Sequence, residues 1–211
     1  MPSKNKVKLY TEDGYYHLYN RGVDKRLIFQ EEQDYLVFIS YLKEYLSPPV
    51  PPTEAELRLR KHPYLRKNYY QQIELLAFCL MPNHFHLLVK QKESRVIENF
   101  MRSLFVRYSG YFNKHSKRIG HLFQDIYKGI LIQNDEYLWW LSRYIHRNPI
   151  ELLHGRPLGS YLHSSYSSYL GSSHPHWIHP EMITGNFKDY HSFVEDESQD
   201  IPDLLEDFYL E

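Results

Sequence analysis

Cysteine is almost absent from this sequence, and long uncharged apolar runs do not occur in it. Cys79 is the only cysteine, which excludes an intramolecular disulfide and a zinc cluster built on cysteines. No secretory apolar segment occurs, and the start of the chain, residues 1–8, is polar. The sequence therefore favours a soluble, intracellular protein.

The chain as a whole also lacks a surplus of basic residues, because its formal net charge is -1. The acids are unevenly distributed, however, and residues 195–211 contain eight of them with no Lys or Arg. In residues 1–194 the other 18 acids stand against 25 basic residues, a surplus of +7. A basic body with an acidic tail is typical of a protein that handles a polyanion. The 20 tyrosines fit a surface that stacks bases, although tyrosine also fills ordinary cores.

Hydrophobic periodicity predicts a core of strand, helix, strand, strand, helix, strand and helix. The predicted strands are 15–20, 73–80, 84–90 and 129–132, and the predicted helices are 31–46, 94–112 and 135–148. The first six elements match the split βαβ arrangement of ferredoxin-like folds. We therefore expect an α+β fold, with an antiparallel sheet, helices on one face and a C-terminal catalytic helix.

Two segments lie outside this predicted core. A proline-led and then basic insert at about 47–72 contains a possible short helix at 54–61, and a solvated loop is at least as plausible for it as a nucleic-acid contact. After about residue 171 the composition changes and ends in the acidic run. We expect a domain at 1–171 and an acidic, loosely packed extension at 172–211.

Two histidines flank a single aromatic residue in the predicted strand that contains His84, Phe85 and His86. Because side chains alternate along a strand, both imidazoles point to the same face. Neutral imidazole is a common metal ligand, so the pair supplies half of a small coordination site. An isolated pair of this kind is more often only the polar face of a strand, so the other half of the site must come from elsewhere.

The last predicted helix presents Tyr137, Leu141, Tyr144 and Asn148 on one face, at spacings of four, three and four. The amide oxygen of Asn148 would complete a His-His-Asn site, and mixed N and O ligation suits Mg²⁺ or Mn²⁺, while zinc stays open. Tyr144, one turn earlier, would be the nucleophile. A phenol has a pKa near ~10, so it requires activation or a positioned proton acceptor.

Three motifs in order resemble those of the tyrosine-1 transposases, specifically the REP-associated tyrosine transposases of the His-hydrophobe-His endonuclease superfamily. The motifs are Met81–Lys90 (MPNHFHLLVK), Gly120–Lys128 (GHLFQDIYK) and Arg143–Pro149 (RYIHRNP). The resemblance extends from about Tyr15 to Tyr169. It implies that His84, His86 and Asn148 bind a divalent metal ion, Mg²⁺ or Mn²⁺, and that Tyr144 is the catalytic nucleophile.

The resemblance also implies an activity, namely a transposase that nicks and rejoins single-stranded DNA carrying hairpins or imperfect palindromes. In this family the tyrosine attacks a phosphodiester and forms a 5'-phosphotyrosine link with a free 3'-hydroxyl, and religation reverses the step. No ATP-binding loop is expected, and the sequence contains none. The resemblance further implies a cytoplasmic, nucleoid-associated protein of a prokaryote, which is either a monomer or a homodimer.

Two other functions stay open. The protein is alternatively a domesticated hairpin-binding protein without strand transfer, or a metal hydrolase in which Tyr144 is structural.

His146, about 200° around the helix from Tyr144, is expected to face away from the site. The sequence favours a satisfied core or surface histidine at His17 over a fourth ligand. It favours the core or an interface for Trp139 and Trp140 over base stacking, whereas Tyr166 and Tyr169 either stack bases or pack. The basic residues that we consider for DNA-backbone contacts are Arg21, Arg102, Arg107, Lys114, Lys117, Arg118 and Lys128.

Overall fold

One antiparallel sheet and three long helices form the centre of the protein. The computed structural model describes residues 9–51, 67–171, 173–196 and 198. The strands are β1 (Tyr15–Arg21), β2 (Ile73–Met81), β3 (His84–Gln91) and β4 (Lys128–Ile132). The long helices are α1 (Glu32–Leu46), α2 (Val96–His115) and α3 (Asp135–Arg147). Short helices follow as α4 (Ile150–Leu153), α5 (Ser167–Leu170), α6 (Glu181–Thr184) and α7 (Tyr190–Glu195), and single 3-10 turns are Val23–Lys25 and Leu158–Ser160.

The strand order is β2-β3-β1-β4, and every neighbouring pair is antiparallel. Strands β2 and β3 form a hairpin in which Met81 lies opposite His84, with Pro82 and Asn83 in the turn between them. Since β3 lies between β1 and β2, the arrangement is the split βαβ unit. The expected α+β, ferredoxin-like fold is confirmed.

Helices cover both faces of the sheet because its strands are apolar on both sides. Helices α1 and α2 pack on the face that carries Leu18, Phe85 and Leu87. Helix α3 packs on the opposite face, where Leu88 lies in a cluster with Leu141 of the helix. Of the three long helices, only α3, the expected catalytic helix, therefore lies over the face to which the even-numbered residues of β3 point.

The start of α2 differs from the sequence-based boundary. Helix α2 begins at Val96 and not at Ser94, because Arg95 takes up a left-handed conformation with a φ of 67° immediately before it. Helix α3 begins at Asp135 as predicted, and Asn134 caps it, since its Oδ1 accepts a hydrogen bond of 2.8 Å from the backbone N–H of Tyr137. The possible helix at 54–61 lies outside the described residues.

The segment 173–196 is well packed, so the expected loose packing is wrong for this part of the extension. Ile183 and Val194 are fully buried, and Tyr190 is 4% exposed. Ile183, Tyr190 and Val194 join the cluster between α3 and the sheet, whereas Trp177 and Ile178 join the cluster of α1 and α2. The domain boundary near 171 stays a prediction.

The outer edge of β2 is also covered by residues that follow α3. The backbone N–H of Leu80 donates to the carbonyl of His163, and that of His179 donates to Leu75, both at 2.9 Å. Covering an edge strand in this way satisfies backbone groups that would otherwise face solvent. In the part of the chain that the structure describes, no helix is long and apolar enough to span a bilayer.

Candidate active site

The site lies on the sheet face beneath α3, where the pleat brings side chains from three strands side by side. Arg21 of β1 pairs with His84 of β3, and Tyr19 pairs with His86. Lys128 of β4 pairs with Tyr19 from the other side. Because paired residues share a face, all five side chains lie on the same side as α3.

The structure brings the four expected site residues together. Nε2 of His84 lies 3.1 Å from Oδ1 of Asn148, and the rings of His84 and His86 are 5.0 Å apart at 88°. The ring of Tyr144 meets that of His86 at a centroid distance of 5.5 Å and an angle of 87°. Tyr144 and Asn148, four residues apart, therefore both lie against the histidine pair.

Asn148 keeps this alignment although a proline follows it. A residue before proline normally avoids the right-handed helical region, yet Asn148 has φ -49° and ψ -39°. Pro149 then leads into α4. Asn148 thus stays one helical turn from Tyr144, with its amide turned toward His84.

Each histidine of the pair has a partner that orients it. Nδ1 of His84 lies 2.7 Å from Oδ1 of Asn83, and Nδ1 of His86 lies 2.8 Å from Nε2 of His17. The sequence favoured a satisfied core or surface histidine at His17, and it gave no role to Asn83. The available signal for His17 was its alternation with Tyr19 on the strand next to β3.

Burial keeps both site histidines in the form that binds metals. His86 is fully buried, and burial together with the neighbouring His84 and His17 places its pKa well below the usual value. Burial also lowers the pKa of His84, against the opposing effect of Asn148, whose Oδ1 accepts a hydrogen bond from Nε2 in the protonated ring. Neutral imidazole at neutral pH is the species that donates a lone pair to a metal ion.

The donor set, two imidazole nitrogens and one amide oxygen, fits a divalent cation. Two neighbouring ligands of an octahedral ion, each bonded at about 2.1 Å, are about 3 Å apart, and Nε2 of His84 and Oδ1 of Asn148 have this separation. When the Nδ1–H of His84 donates to Asn83, the Nε2 lone pair faces Asn148. His84, His86 and Asn148 would hold the ion.

A second group of potential ligands, Glu31, Asp34 and His115, lies where α1 begins and α2 ends. Its members are engaged in the fold. The carboxylate of Asp34 accepts hydrogen bonds from the backbone N–H of Gln30 at 2.8 Å and from the Tyr111 hydroxyl at 3.1 Å. The group thus forms the start of α1 and joins it to α2.

The basic residues considered for DNA contacts divide between the two faces of the sheet. Lys128 lies at the site, with Nζ 5.2 Å from the ring centre of Tyr19, and Arg21 donates from Nε to Gln124 at 2.5 Å. The others lie on α2 or just after it, on the opposite side: Arg102, Arg107, Lys114, Lys117 and Arg118. Arg107 forms an ion pair of 2.6 Å with Glu44.

The side of α3 that faces away from the sheet site is packed. His146 is fully buried, with Nδ1 2.9 Å from the Tyr190 hydroxyl, so it faces away from the site as expected. Trp139 packs against Phe187 and Trp140 against Phe193, at 5.6 and 5.4 Å between ring centroids.

Tyr166 and Tyr169, which the sequence left undecided, are also packed. They are 0% and 7% exposed. The Tyr166 hydroxyl donates to Glu195, and that of Tyr169 donates to the carbonyl of Leu76. Neither ring is available to a nucleic-acid base.

Comparisons with known proteins give a family match and similar solved structures. Residues 54–148 match the family model described as Transposase IS200 like. A comparison with curated proteins gives no match. The solved structure of a REP-associated tyrosine transposase bound to a REP hairpin is similar, with a TM-score of 0.52, 14% identity, and coverage of 80% of this chain and 86% of that one. A candidate transposase from Deinococcus radiodurans R1 aligns with a TM-score of 0.39 and 16% identity, over 70% of this chain and 97% of the other.

The fold of this chain, an antiparallel split βαβ sheet with a helix over the face that carries the histidine pair, is similar to that of the solved REP-associated tyrosine transposase. The family match over 54–148 contains all four expected site residues. The resemblance to the IS200-like, tyrosine-1 transposases is confirmed, and the match to this family model supports a transposase role in DNA transposition and recombination.

Proposed function

We propose that this protein is a metal-dependent single-strand DNA transesterase that cleaves and rejoins hairpin-bearing DNA through Tyr144. The observation that carries the proposal is the convergence of His84, His86, Tyr144 and Asn148 on one sheet face. These residues come from a strand and a helix about sixty residues apart in the sequence. A nucleophile beside a set of metal ligands is the arrangement that phosphoryl transfer requires.

In the proposed reaction, the hydroxyl oxygen of Tyr144 forms a bond to the phosphorus of a phosphodiester. The bond between phosphorus and the 3'-oxygen breaks, the phenol proton passes to solvent, and the 3'-oxygen takes up a proton. His84, His86 and Asn148 would hold a divalent cation, which when bound would supply Lewis-acid polarisation of the phosphate. Rejoining is the reverse attack by a 3'-hydroxyl, and the energy stored in the phosphotyrosine bond makes ATP unnecessary.

The proposed substrate is single-stranded DNA next to a hairpin, and the proposed cation is Mg²⁺ or Mn²⁺. The similar solved structure is bound to a REP hairpin, and the basic surplus of residues 1–194 suits a polyanion. Arg21 and Lys128 lie on the same face as the histidine pair. We assign them to contacts with phosphate oxygens near the cleaved bond.

A hairpin-binding protein without strand transfer is the second candidate, because the basic surplus supports DNA binding whether or not cleavage follows. Covalent capture separates the two functions. A third possibility, attack by a water molecule with Tyr144 as a structural residue, is separated by the same experiment.

The test is to incubate the protein with end-labelled hairpin DNA from the flanks of its own gene, with Mg²⁺ or Mn²⁺, and to analyse the products on a denaturing gel. The wild-type protein should give a DNA-linked protein band, and Tyr144→Phe should give none, because the phenol oxygen forms the link. Tyr137→Phe, two turns earlier on the same helix, is the matched control and should retain the band. Cleavage by Tyr144→Phe without a linked band would indicate water as the nucleophile, and binding without cleavage by any variant would favour the second candidate.

A further inference from the structure

His17 lies next to the site and is not one of its expected ligands. It is fully buried on β1, on the strand that pairs with β3 in the register Tyr19 opposite His86. His17 is therefore diagonal to His86 on the α3 face of the sheet. Its Nε2 approaches Nδ1 of His86 to 2.8 Å, and the two rings are inclined by only 15°.

The side chain of His17 has little freedom to move. Its ring stacks on that of Tyr19 at 4.6 Å and 22°, and Tyr19 is itself 4% exposed. A ring that is buried and stacked stays in one rotamer, so the nitrogen that faces His86 is fixed by the packing of β1.

Two neutral imidazoles whose nitrogens face each other at hydrogen-bond distance share one proton between them. If His86 donates from Nδ1, its Nε2 carries a lone pair, and His17 holds its own proton on Nδ1. If His17 donates instead, a neutral His86 carries its proton on Nε2, and that nitrogen has no lone pair to offer. The tautomer of His17 therefore decides whether Nε2 of His86 is a ligand atom.

We infer that His17 is a positioning residue of the active site, which accepts the Nδ1–H of His86 and thereby holds His86 in the tautomer that ligates through Nε2. This inference rests on the proposed function, since it gives a task to a residue outside the proposed ligand set. The same arrangement exists for His84, where Asn83 is the acceptor. Acceptors of this kind fix the ring orientation and the tautomer of a ligating histidine, and their loss typically weakens metal binding about 10- to 100-fold.

The test has two measurements and three variants. Long-range ¹H–¹⁵N correlation spectra of the metal-free protein report which nitrogen of His86 carries the proton, and titration with Mn²⁺ followed by electron paramagnetic resonance reports metal affinity. His17→Phe keeps a ring but removes the acceptor. His17→Gln places an amide oxygen near the position of Nε2 and should rescue both signals. His146→Phe is the matched control, because His146 is equally buried but lies on the other side of α3.

The wild-type protein should show His86 protonated at Nδ1. His17→Phe should move that proton to Nε2 in part of the molecules and weaken Mn²⁺ binding by about 10- to 100-fold, while His146→Phe should leave the His86 tautomer and Mn²⁺ affinity unchanged. An Nε2-protonated His86 in the wild type, or an unchanged tautomer and affinity in His17→Phe, would overturn the inference. Because the spectrum is recorded without metal or DNA, it decides the inference even if the covalent-capture experiment fails.

Discussion

Burial and hydrogen-bond acceptors, more than nearby charges, set the pKa and the tautomer of the buried histidines. His17, His86 and His146 are fully buried, and desolvation is the first cause of a lowered pKa for each. For His17 and His146 burial lowers the pKa to about 3. The same residue type thus appears as a ligand candidate, as its positioning partner and as part of the packing behind α3.

The buried His146 predicts a pH dependence of stability. Below a pH of about 6.5 the unfolded chain takes up a proton at this ring, whereas the folded protein does not until about pH 3. Stability that is present above pH 6.5 is therefore lost as the pH falls, by about 2 kcal/mol for this residue at pH 5. Urea unfolding at pH 7.5 and 5.0 should show a drop in unfolding free energy that is smaller by about this amount in His146→Gln.

The control for this measurement is His154→Gln, because His154 is an exposed histidine that follows α4. This variant should show the same drop as the wild type. An identical drop in His146→Gln and His154→Gln would mean that His146 is not the source.

Helix α3 depends on the residues that follow it in the chain. Nε of Arg143 donates to the carbonyl of Phe193, and Nη1 of Arg147 donates to that of Val194, both at 2.8 Å. The Tyr190 hydroxyl meets both His146 and Ser142 at 2.9 Å. The helix that carries Tyr144 is therefore clamped between the sheet and α7 of the same chain.

This clamp predicts a local effect of Tyr190→Phe. The substitution leaves the buried side chains of His146 and Ser142 each with one hydrogen bond fewer, which costs about 1–3 kcal/mol. Amide hydrogen exchange should accelerate in α3 and α7 more than in α1, which packs on the other face. Tyr169→Phe, whose hydroxyl bonds β2 instead, should not single out α3, and equal acceleration of α1 and α3 in Tyr190→Phe would argue against the clamp.

At the scale of the whole molecule, the charges are separated along the chain and across the sheet. Arg21 and Lys128 lie on the α3 face, while the basic residues of α2 lie on the opposite side. The last residues of the chain are acidic, and most of them lie outside the described ranges. At long range the net charge of the molecule affects DNA affinity, and salt screens this effect.

Removal of residues 199–211 should strengthen non-specific DNA binding. The deletion takes away five acids and no basic residue, so the formal net charge changes from -1 to +4. Affinity for a labelled single strand should rise at low salt, and the difference should shrink at about 0.3 M salt, where screening is strong. A full-length chain with these five acids replaced by Asn and Gln is the matched control and should behave like the deletion. Equal affinities of all three proteins across the salt series would contradict the prediction.

The local structure of this protein, its strands, helices and their faces, could be predicted from the sequence. Strand and helix periods are properties of neighbouring residues, so the order of the seven core elements and the pairing of His84 with His86 could be predicted. The spacing of four placed Tyr144 and Asn148 on one side of a helix for the same reason. The family motifs then joined the strand to the helix.

The sequence by itself determined which side chains share a face, because that depends on the backbone period alone. Only the tertiary structure decided what lies next to each face. His17 and His86 meet although they are 69 positions apart, and His146 meets Tyr190 across 44 positions. No local pattern carries such contacts, because they depend on how strands pair and how the segment 173–196 folds back over α3, and those arrangements are settled by burial of the whole chain.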